Sequence, residues 1–343
     1  MASASIRSVV RSLPMLSLAL AGGAASFAQA AAYDTAVNAL NPVTYFAYET
    51  ANASADVDTS IATGTNAVSG YSLYGIRSTA SSTASAGGQF GVGSTYNAAN
   101  GYSGFNTTNN VAQYNSANTA FASSVSPDGT TGIANTAAFR TATSTSAMTV
   151  STWARIDTLP TSTALPTLAA VVVGTTSNTS ASTGFQLNFT STGIRVGGRS
   201  VSTDAFQSLV VPYADAGYNA GDFANIVGVA DYANDTLSLY VNGTLVGTGS
   251  ATFANTSLTY GTGTSAGIFS TGGIFNALNA ANTGNGTSAG GQLYTGYSDQ
   301  TAVFNRALTA EEIAGLYSTA VPEPASLALI ALGGTAMLRR RSR

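Results

Sequence analysis

The sequence predicts an all-β fold of antiparallel strands. Three observations carry that prediction. β-Branched and aromatic residues recur in short runs between clusters of Gly, Asn, Ser and Thr, the pattern of strands and turns. Residues 148–157 alternate without a break: Met148, Val150, Thr152, Ala154 and Ile156 point one way, and Thr149, Ser151, Trp153 and Arg155 the other. Asn242-Gly243 joins two alternating runs, and both residues accept the positive φ that a type I′ hairpin turn requires.

The body of the chain, residues 31–320, then reads in order. Residues 43–48 form a first strand. Residues 51–108 are rich in Ser, Ala, Gly and Asn, with scattered Tyr and Phe, and read as long loops holding one or two short strands. Residues 111–114 and 136–140 are strands, followed by the alternating run at 148–157. Residues 169–174 are continuously apolar, as suits a central strand. Residues 184–189 and 193–198 make a hairpin around Ser191-Thr192. Residues 223–232 and 236–241 make the next pair, turning at 233–235, and 244–247 follows the Asn-Gly turn. Residues 254–292 are loops around a strand at 266–269, and 294–305 is the last strand. The one good helix of the body spans 309–317. Thr309 caps it, Glu312 completes a capping box, and Ile313, Leu316 and Tyr317 form its apolar face.

The two ends read differently. Arg7 and Arg11, a short apolar stretch at 13–21 and the small-residue pair Ala28 and Ala30 around Gln29 have the order of a secretory signal with an A-x-A cleavage site. Residues 1–30 are thus expected to form a signal helix, to engage the Sec translocon and to be removed by signal peptidase. At the other end Pro322, Glu323 and Pro324 precede an uncharged stretch, 325–338, and then Arg339, Arg340, Arg341 and Arg343. The prolines stop any preceding helix. A helix over 325–338 reaches about 21 Å at about 1.5 Å per residue. That is short of a ~30 Å hydrocarbon core, so it would need snorkelling arginines or local thinning. The arginines belong on the cytoplasmic side. This order resembles the PEP-CTERM sorting signal of Gram-negative bacteria over residues 321–343. The resemblance implies processing by an exosortase, a transient C-terminal anchor and release to the cell surface or an exopolysaccharide matrix.

Composition excludes several kinds of chemistry. The 343 residues include no His and no Cys, and all twelve basic residues are Arg. Without His there is no Ser–His–Asp triad and no imidazole metal ligand. Without Cys there is no thiol nucleophile or disulfide, and without Lys no Schiff base. Removing the two ends leaves six arginines against fourteen acidic residues, a net charge of −8. A nucleic-acid surface needs a basic patch, so nucleic acid is excluded as a partner.

Three segments of the body carry a family resemblance. Val150-Ser-Thr-Trp153-Ala-Arg155 resembles the Trp-bearing strand of LamG-like, concanavalin A-like jelly rolls. Leu237-Ser-Leu-Tyr240-Val241-Asn242-Gly243 resembles their strand ending in a Tyr-Val-Asn-Gly turn. Residues 296–313, with Asp299 and the run Asn305-Arg306-Ala307-Leu308 before the helix, resemble their closing segment. The similarity spans 110–318 and implies a two-sheet antiparallel jelly-roll sandwich, with 33–109 supplying the first strands and a variable region. Ser298, Gln300 and Thr301 depart from the pattern, where the family usually has an apolar residue, an acid and an aliphatic one. Looser packing of the closing strand is the expected result.

Function follows from what such a sandwich can present. Glycoside hydrolysis needs two carboxyls roughly 5–10 Å apart across the bond. No strand carries such a pair: Glu49 is the only Glu before Glu311, and the nearest acidic pairs, Asp56/Asp58 and Asp231/Asp235, sit in or beside Asn/Gly-rich turns. A non-catalytic, carbohydrate-binding or adhesive protein is therefore expected, with a purely structural matrix protein as the alternative and a polysaccharide-active enzyme behind both. Trp153 and Arg155 share one strand face, and Tyr240 lies off the apolar face of its own strand. These three are the glycan-binding candidates if that face is open, and Trp153 is an ordinary core residue if loops cover it. The resemblance also implies a Ca²⁺ site at the sandwich rim. Asp231, Asn234 and Asp235, with Asp299 apart from them, are its candidate oxygen ligands, although Asp in such turns also serves as a cap.

Overall fold

The computed structural model describes residues 32–48, 64–65, 72–77, 89–106, 108–114, 119–123, 144–161, 165–172, 183–259, 269–273 and 295–321. The signal helix, the strand at 136–140, and the sorting motif with its apolar helix lie outside the described residues.

Antiparallel sheets form a sandwich, as the sequence predicts. One sheet holds β8 (Ala147–Ile156) at its centre, paired on one side with β13 (Ala224–Asp231), β14 (Thr236–Val241) and β15 (Thr244–Ser250). On the other side β8 pairs with β18 (Gly296–Phe304), which carries β1 (Thr44–Phe46), β5 (Asn110–Tyr114) and then β4 (Gln89–Gly93). The second sheet begins with β12 (Gln207–Pro212), β11 (Gly193–Gly198) and β10 (Thr183–Phe189). It continues through β9 (Thr167–Val172), β17 (Phe269–Thr271), β6 (Thr119–Ser123), β3 (Ser72–Arg77) and β2 (Gly64–Thr65). A small ribbon, β7 (Ser144–Thr145) with β16 (Leu258–Thr259), stands apart.

Side-chain alternation builds two cores. Met148, Val150, Ala154 and Ile156 face inward to Phe185, Leu187, Phe189, Ile194 and Val196 of the second sheet. Gly228 belongs to this layer: a Cβ there would lie 3.0 Å from Val196 and 3.2 Å from Leu187, so glycine lets the sheets close. The opposite face of the first sheet carries Trp153, Val227, Val229, Tyr240, Ala302 and Phe304. It is covered by α1 (Ala32–Ala39) through Tyr33 and Val37, by Phe105, and by α3 (Ala310–Ala320) through Ile313, Leu316 and Ala320.

The predicted turn and cap take the expected form. Asn242 and Gly243 have φ of 50° and 76°. Thr309 Oγ1 accepts from the Glu312 amide and the Glu312 carboxylate accepts from the Thr309 amide, an arrangement worth about 1 kcal/mol. Arg306 adds two hydrogen bonds to the same carboxylate, at 2.7 and 2.8 Å.

Several elements differ from the sequence reading. Among its described residues, the stretch read as loops with one or two strands contains three, β2, β3 and β4. Strand β6 is Thr-Ala-Phe-Ala-Ser, with little β propensity of its own, and is held by its neighbours β3 and β17. Strand β12 ends in Pro212 and lies at a sheet edge, where a missing donor is tolerated. Among the described residues α1, the single turn α2 (Tyr213–Ala216) and a 3-10 turn at Ala98–Asn100 join the predicted helix.

The closing strand is not loosely packed. Ser298, Gln300 and Thr301 are 0, 2 and 0% exposed. The register shifts between Asp299 and Ala302, and Gln300 there has a φ of 49°. Tyrosines satisfy the polar groups this bulge buries. Tyr48 donates to Thr301 Oγ1 at 3.1 Å, Thr301 meets Thr152 at 2.8 Å, and Tyr45 donates to Gln300 Oε1. Asp299 accepts from Asn109 Nδ2 at 2.6 Å. Polar departures from the family pattern are therefore matched by hydrogen-bonding aromatic partners rather than left as gaps.

Candidate functional site

Trp153 is 1% exposed, so the face that could have been open is covered. Its indole packs on Phe223 and Tyr317 and meets the rings of Phe105, Tyr102 and Tyr33 edge-on, with centroids 5.2–6.4 Å away. Its Nε1 donates to Tyr33 Oη at 3.0 Å. Tyr240, at 8%, belongs to the same buried cluster. Neither ring offers a sugar a face to stack on, which corrects the expectation for both. The physical reason is non-local: α1, α3 and residues near 102–105 supply the cover.

The calcium candidates already hold hydrogen bonds within the protein. Asp231 Oδ1 accepts from the Asn234 amide at 3.1 Å and Oδ2 from Asn234 Nδ2 at 2.8 Å, closing the turn between β13 and β14. Asp235 Oδ1 instead accepts from the Phe253 amide at 3.0 Å. Asp299 is fully buried beside Asn109. It pairs across from Trp153, whereas Asp231 pairs across from Ala147, at the other end of β8. Among the described residues no group of three acidic side chains gathers.

Arg155 has a different setting. The cover ends at the last outward position of β8, and there Tyr297 of β18 lies directly across from Arg155, with Gln113 of β5 across from Tyr297. The Arg155 guanidinium sits 5.3 Å from the centre of the Tyr297 ring. Its Nη1 donates to Tyr96 Oη at 2.9 Å and its Nη2 pairs with Asp157 at 2.9 Å. Gln113 Nε2 reaches Tyr297 Oη at 3.4 Å. Tyr96 stacks on Phe223 at 4.0 Å, which ties this corner to the Trp153 cluster beneath. The Tyr96 hydrogen bond, reinforced by Asp157, holds the guanidinium above its ordinary range against the opposing effect of burial. All five side chains, Tyr96, Gln113, Arg155, Asp157 and Tyr297, are partly exposed. The corner thus presents two phenol groups, a fixed guanidinium, a carboxylate and an amide over a few adjacent strands. Such an array exchanges hydrogen bonds with hydroxyl-rich ligands.

Of the candidates read from sequence, only Arg155 lies at this surface. Tyr96, Gln113, Asp157 and Tyr297 were not found. Tyr297 sits in the recognised closing segment, so the pairing of that strand with β8 could have placed it. Tyr96 lies in a stretch without a sequence pattern. The signal residues Ala28 and Ala30 and the sorting residues Pro322, Glu323, Pro324, Arg339, Arg340 and Arg341 lie outside the described residues.

Antiparallel sheets packed face to face in this way define a β-sandwich protein. Residues 128–314, more than half of the chain, match the model described as the concanavalin A-like lectin/glucanases superfamily, of laminin G type, and the chain belongs to that superfamily. Residues 320–342 match the PEP-CTERM protein-sorting motif, which implies export and a transient C-terminal anchor. No curated protein sequence matches. Among solved structures, the botulinum neurotoxin serotype D binding domain is similar at 13% identity, over 82% of this chain and 52% of that one, with a TM-score of 0.48. Domain 4 of an extracellular arabinanase from Geobacillus stearothermophilus, in complex with arabinotriose, is similar at 12% identity, over 80% and 98%, with a TM-score of 0.44. A sialidase CBM40 from Ruminococcus gnavus bound to α2,3-sialyllactose is similar at 18% identity, over 54% and 89%, with a TM-score of 0.39.

Proposed function

We propose that this exported protein is a non-catalytic carbohydrate-binding or adhesive protein of the exopolysaccharide matrix, and that it holds glycan at the Arg155 corner. The observation that carries this reading is the partly exposed set of Tyr96, Tyr297, Arg155, Asp157 and Gln113 at the rim of the first sheet. Polar groups fixed by one another before binding lose little freedom when a sugar arrives, which favours recognition. A role in hydrolysis has less support. Asp231 is engaged in capping a turn, Asp299 is buried, and Glu312 is tied to Arg306.

The protein is expected to bind neutral polysaccharide from the matrix in a pull-down, and Arg155→Ala is expected to weaken that binding at least tenfold with an unchanged melting temperature. Failure of every matrix polysaccharide to bind would leave a structural role instead, and release of reducing ends would indicate an enzyme. The sorting reading has its own check. In a host with an exosortase the mature mass should lack the residues after about Pro324 and regain them when the exosortase is deleted. An intact tail in the exosortase-bearing host would count against it.

A further inference from the structure

The outward face of the second sheet carries a guanidinium that no carboxylate among the described residues neutralises. Four body arginines have described side chains. Arg155 pairs with Asp157 and Arg306 with Glu312. Arg199 donates to the Asp204 carbonyl at 3.3 Å and lies near that residue's charge. Among the described residues Arg195 has only neutral partners: Nε donates to Asn188 Oδ1 at 2.9 Å and Nη2 to Gln186 Oε1 at 3.0 Å.

Strand pairing produces this arrangement. Arg195 lies across from Asn188 on β10, and Gln186 lies two residues along, so one guanidinium spans both amides. Gln186 is steadied in turn by Thr167 Oγ1 at 3.3 Å. Asn188 is fully buried, and its Nδ2 has no partner. Two of the five guanidinium donors are used, which leaves Nη1 and the second Nη2 hydrogen as an open fork. Arg195 is partly exposed, so this fork is within reach of solvent.

An aromatic ring stands beside the fork. Phe206 is partly exposed and lies over Gly197, where a Cβ would come within 2.6 Å of the ring. The Arg195 and Arg199 guanidiniums each lie 5.3 Å from its centre. The nearby carboxylate of Asp204 is engaged on its own loop. It accepts from Ser200 Oγ at 2.8 Å and from the Ser200 and Ala254 amides at 3.2 and 3.0 Å. Burial alone lowers the Arg195 guanidinium from its ordinary range, with no opposing anion.

We infer that Arg195, Asn188 and Phe206 form a second binding site, specific for the carboxylate-bearing sugar of an acidic polysaccharide. The open fork matches a carboxylate in two parallel hydrogen bonds, buried Asn188 holds the guanidinium in place through Nε, and the partly exposed Phe206 ring adds an apolar contact for a pyranose. A half-buried cation held by neutral dipoles gains most from an arriving counter-charge. A body of net charge −8 repels acidic polymers in general, so this positive spot is where one can dock. The choice of ligand class rests on the carbohydrate-binding reading above.

The full exported protein is the material for the test, with polygalacturonate as probe, its carboxyl-reduced form as comparator and sodium sulfate as competitor. Polygalacturonate is expected to bind, and the carboxyl-reduced polymer to bind more than tenfold more weakly. Asn188→Asp keeps the shape and hands Arg195 an internal carboxylate, so it should weaken polygalacturonate binding more than tenfold. Arg195→Gln should do the same, and if it fails to fold, Asn188→Asp decides. Neutral polysaccharide binding should be unaffected by Asn188→Asp. A purely structural ladder would leave polygalacturonate binding unchanged in Asn188→Asp and would overturn the inference. Equal binding of the two polymers, or displacement by sulfate as effective as by oligogalacturonate, would overturn it as well. Neutral polymer binding without polygalacturonate binding removes this site alone, whereas loss of every polysaccharide removes the carbohydrate reading with it.

Discussion

Trp153→Ala is expected to destabilise the sandwich by about 5 kcal/mol and to lower its melting temperature by roughly 10–20 °C. Truncating a buried Trp costs about 3–5 kcal/mol for lost transfer and cavity. The variant also removes the indole hydrogen bond from the buried Tyr33 hydroxyl, which keeps Ser151 as a partner, and a lost hydrogen bond costs about 0.5–1.5 kcal/mol more. The total is a large share of a typical stability of about 5–15 kcal/mol. The damage spreads because the indole is the shared contact of Tyr33 on α1, Phe105, Phe223, and Tyr317 on α3. Trp153→Phe should recover more than half of the loss by refilling the space. Thermal and urea unfolding followed by circular dichroism would measure both. A loss under 1 kcal/mol in Trp153→Ala would mean that the indole is not the keystone of this layer. Because of this effect, Trp153 is unsuitable as a probe of ligand binding, and Arg155 and Asn188 take its place.

The second large effect is alkaline unfolding, expected as one cooperative transition centred between about pH 11 and 12. Tyr33, Tyr45, Tyr48 and Tyr114 are all at most 1% exposed. Burial raises each phenol, to about 12 for Tyr114 and well above the ordinary tyrosine range for Tyr33, Tyr45 and Tyr48. In the unfolded chain these groups ionise near pH 10. Above that pH the unfolded state releases protons that the folded state retains, so stability falls by about 1.4 kcal/mol per tyrosine per pH unit. A phenol that stays protonated in the folded state removes about 3 kcal/mol by pH 12, so a few such groups are enough to unfold an ordinary domain. At the acid end the carboxyls of Asp204 and Glu312, both held below their usual range, lose their stabilising contribution as pH falls through their folded values. In between, a chain with no His, Cys or Lys has almost nothing to titrate, and a flat profile from about pH 6 to 9 is expected. Melting temperature against pH, with tyrosinate absorbance at 295 nm as a direct reporter, would test this. Half-completed tyrosine ionisation in a protein still folded at pH 12 would contradict it.

Much of the fold was legible because its signals are local. Alternation in β8, the Asn242-Gly243 turn and the Thr309–Glu312 cap each depend on a few neighbouring residues, and the structure reproduces all three. Elements without local preference were missed. Strand β6 gains its conformation from β3 and β17, and helix α1 from burying Tyr33 and Val37 on the first sheet. The candidate sites show the same division. Alternation correctly put Trp153 and Arg155 on one face, yet their fates differ: one is roofed by two helices and the other stands where the roof ends.

The sequence by itself determined the absence of thiol, imidazole and amine chemistry, the net charge of the body, the sandwich class and the sorting motif. Each is a property of composition or of contiguous pattern. Tertiary structure alone decided which half of an outward face stays open, that Asp299 is buried rather than at a rim, and that Arg195 meets two amides and an aromatic ring instead of an acid. Those outcomes depend on strand register and on which segments cover a sheet. They are set by contacts between residues such as 33 and 153, or 113 and 297, that lie far apart in the chain.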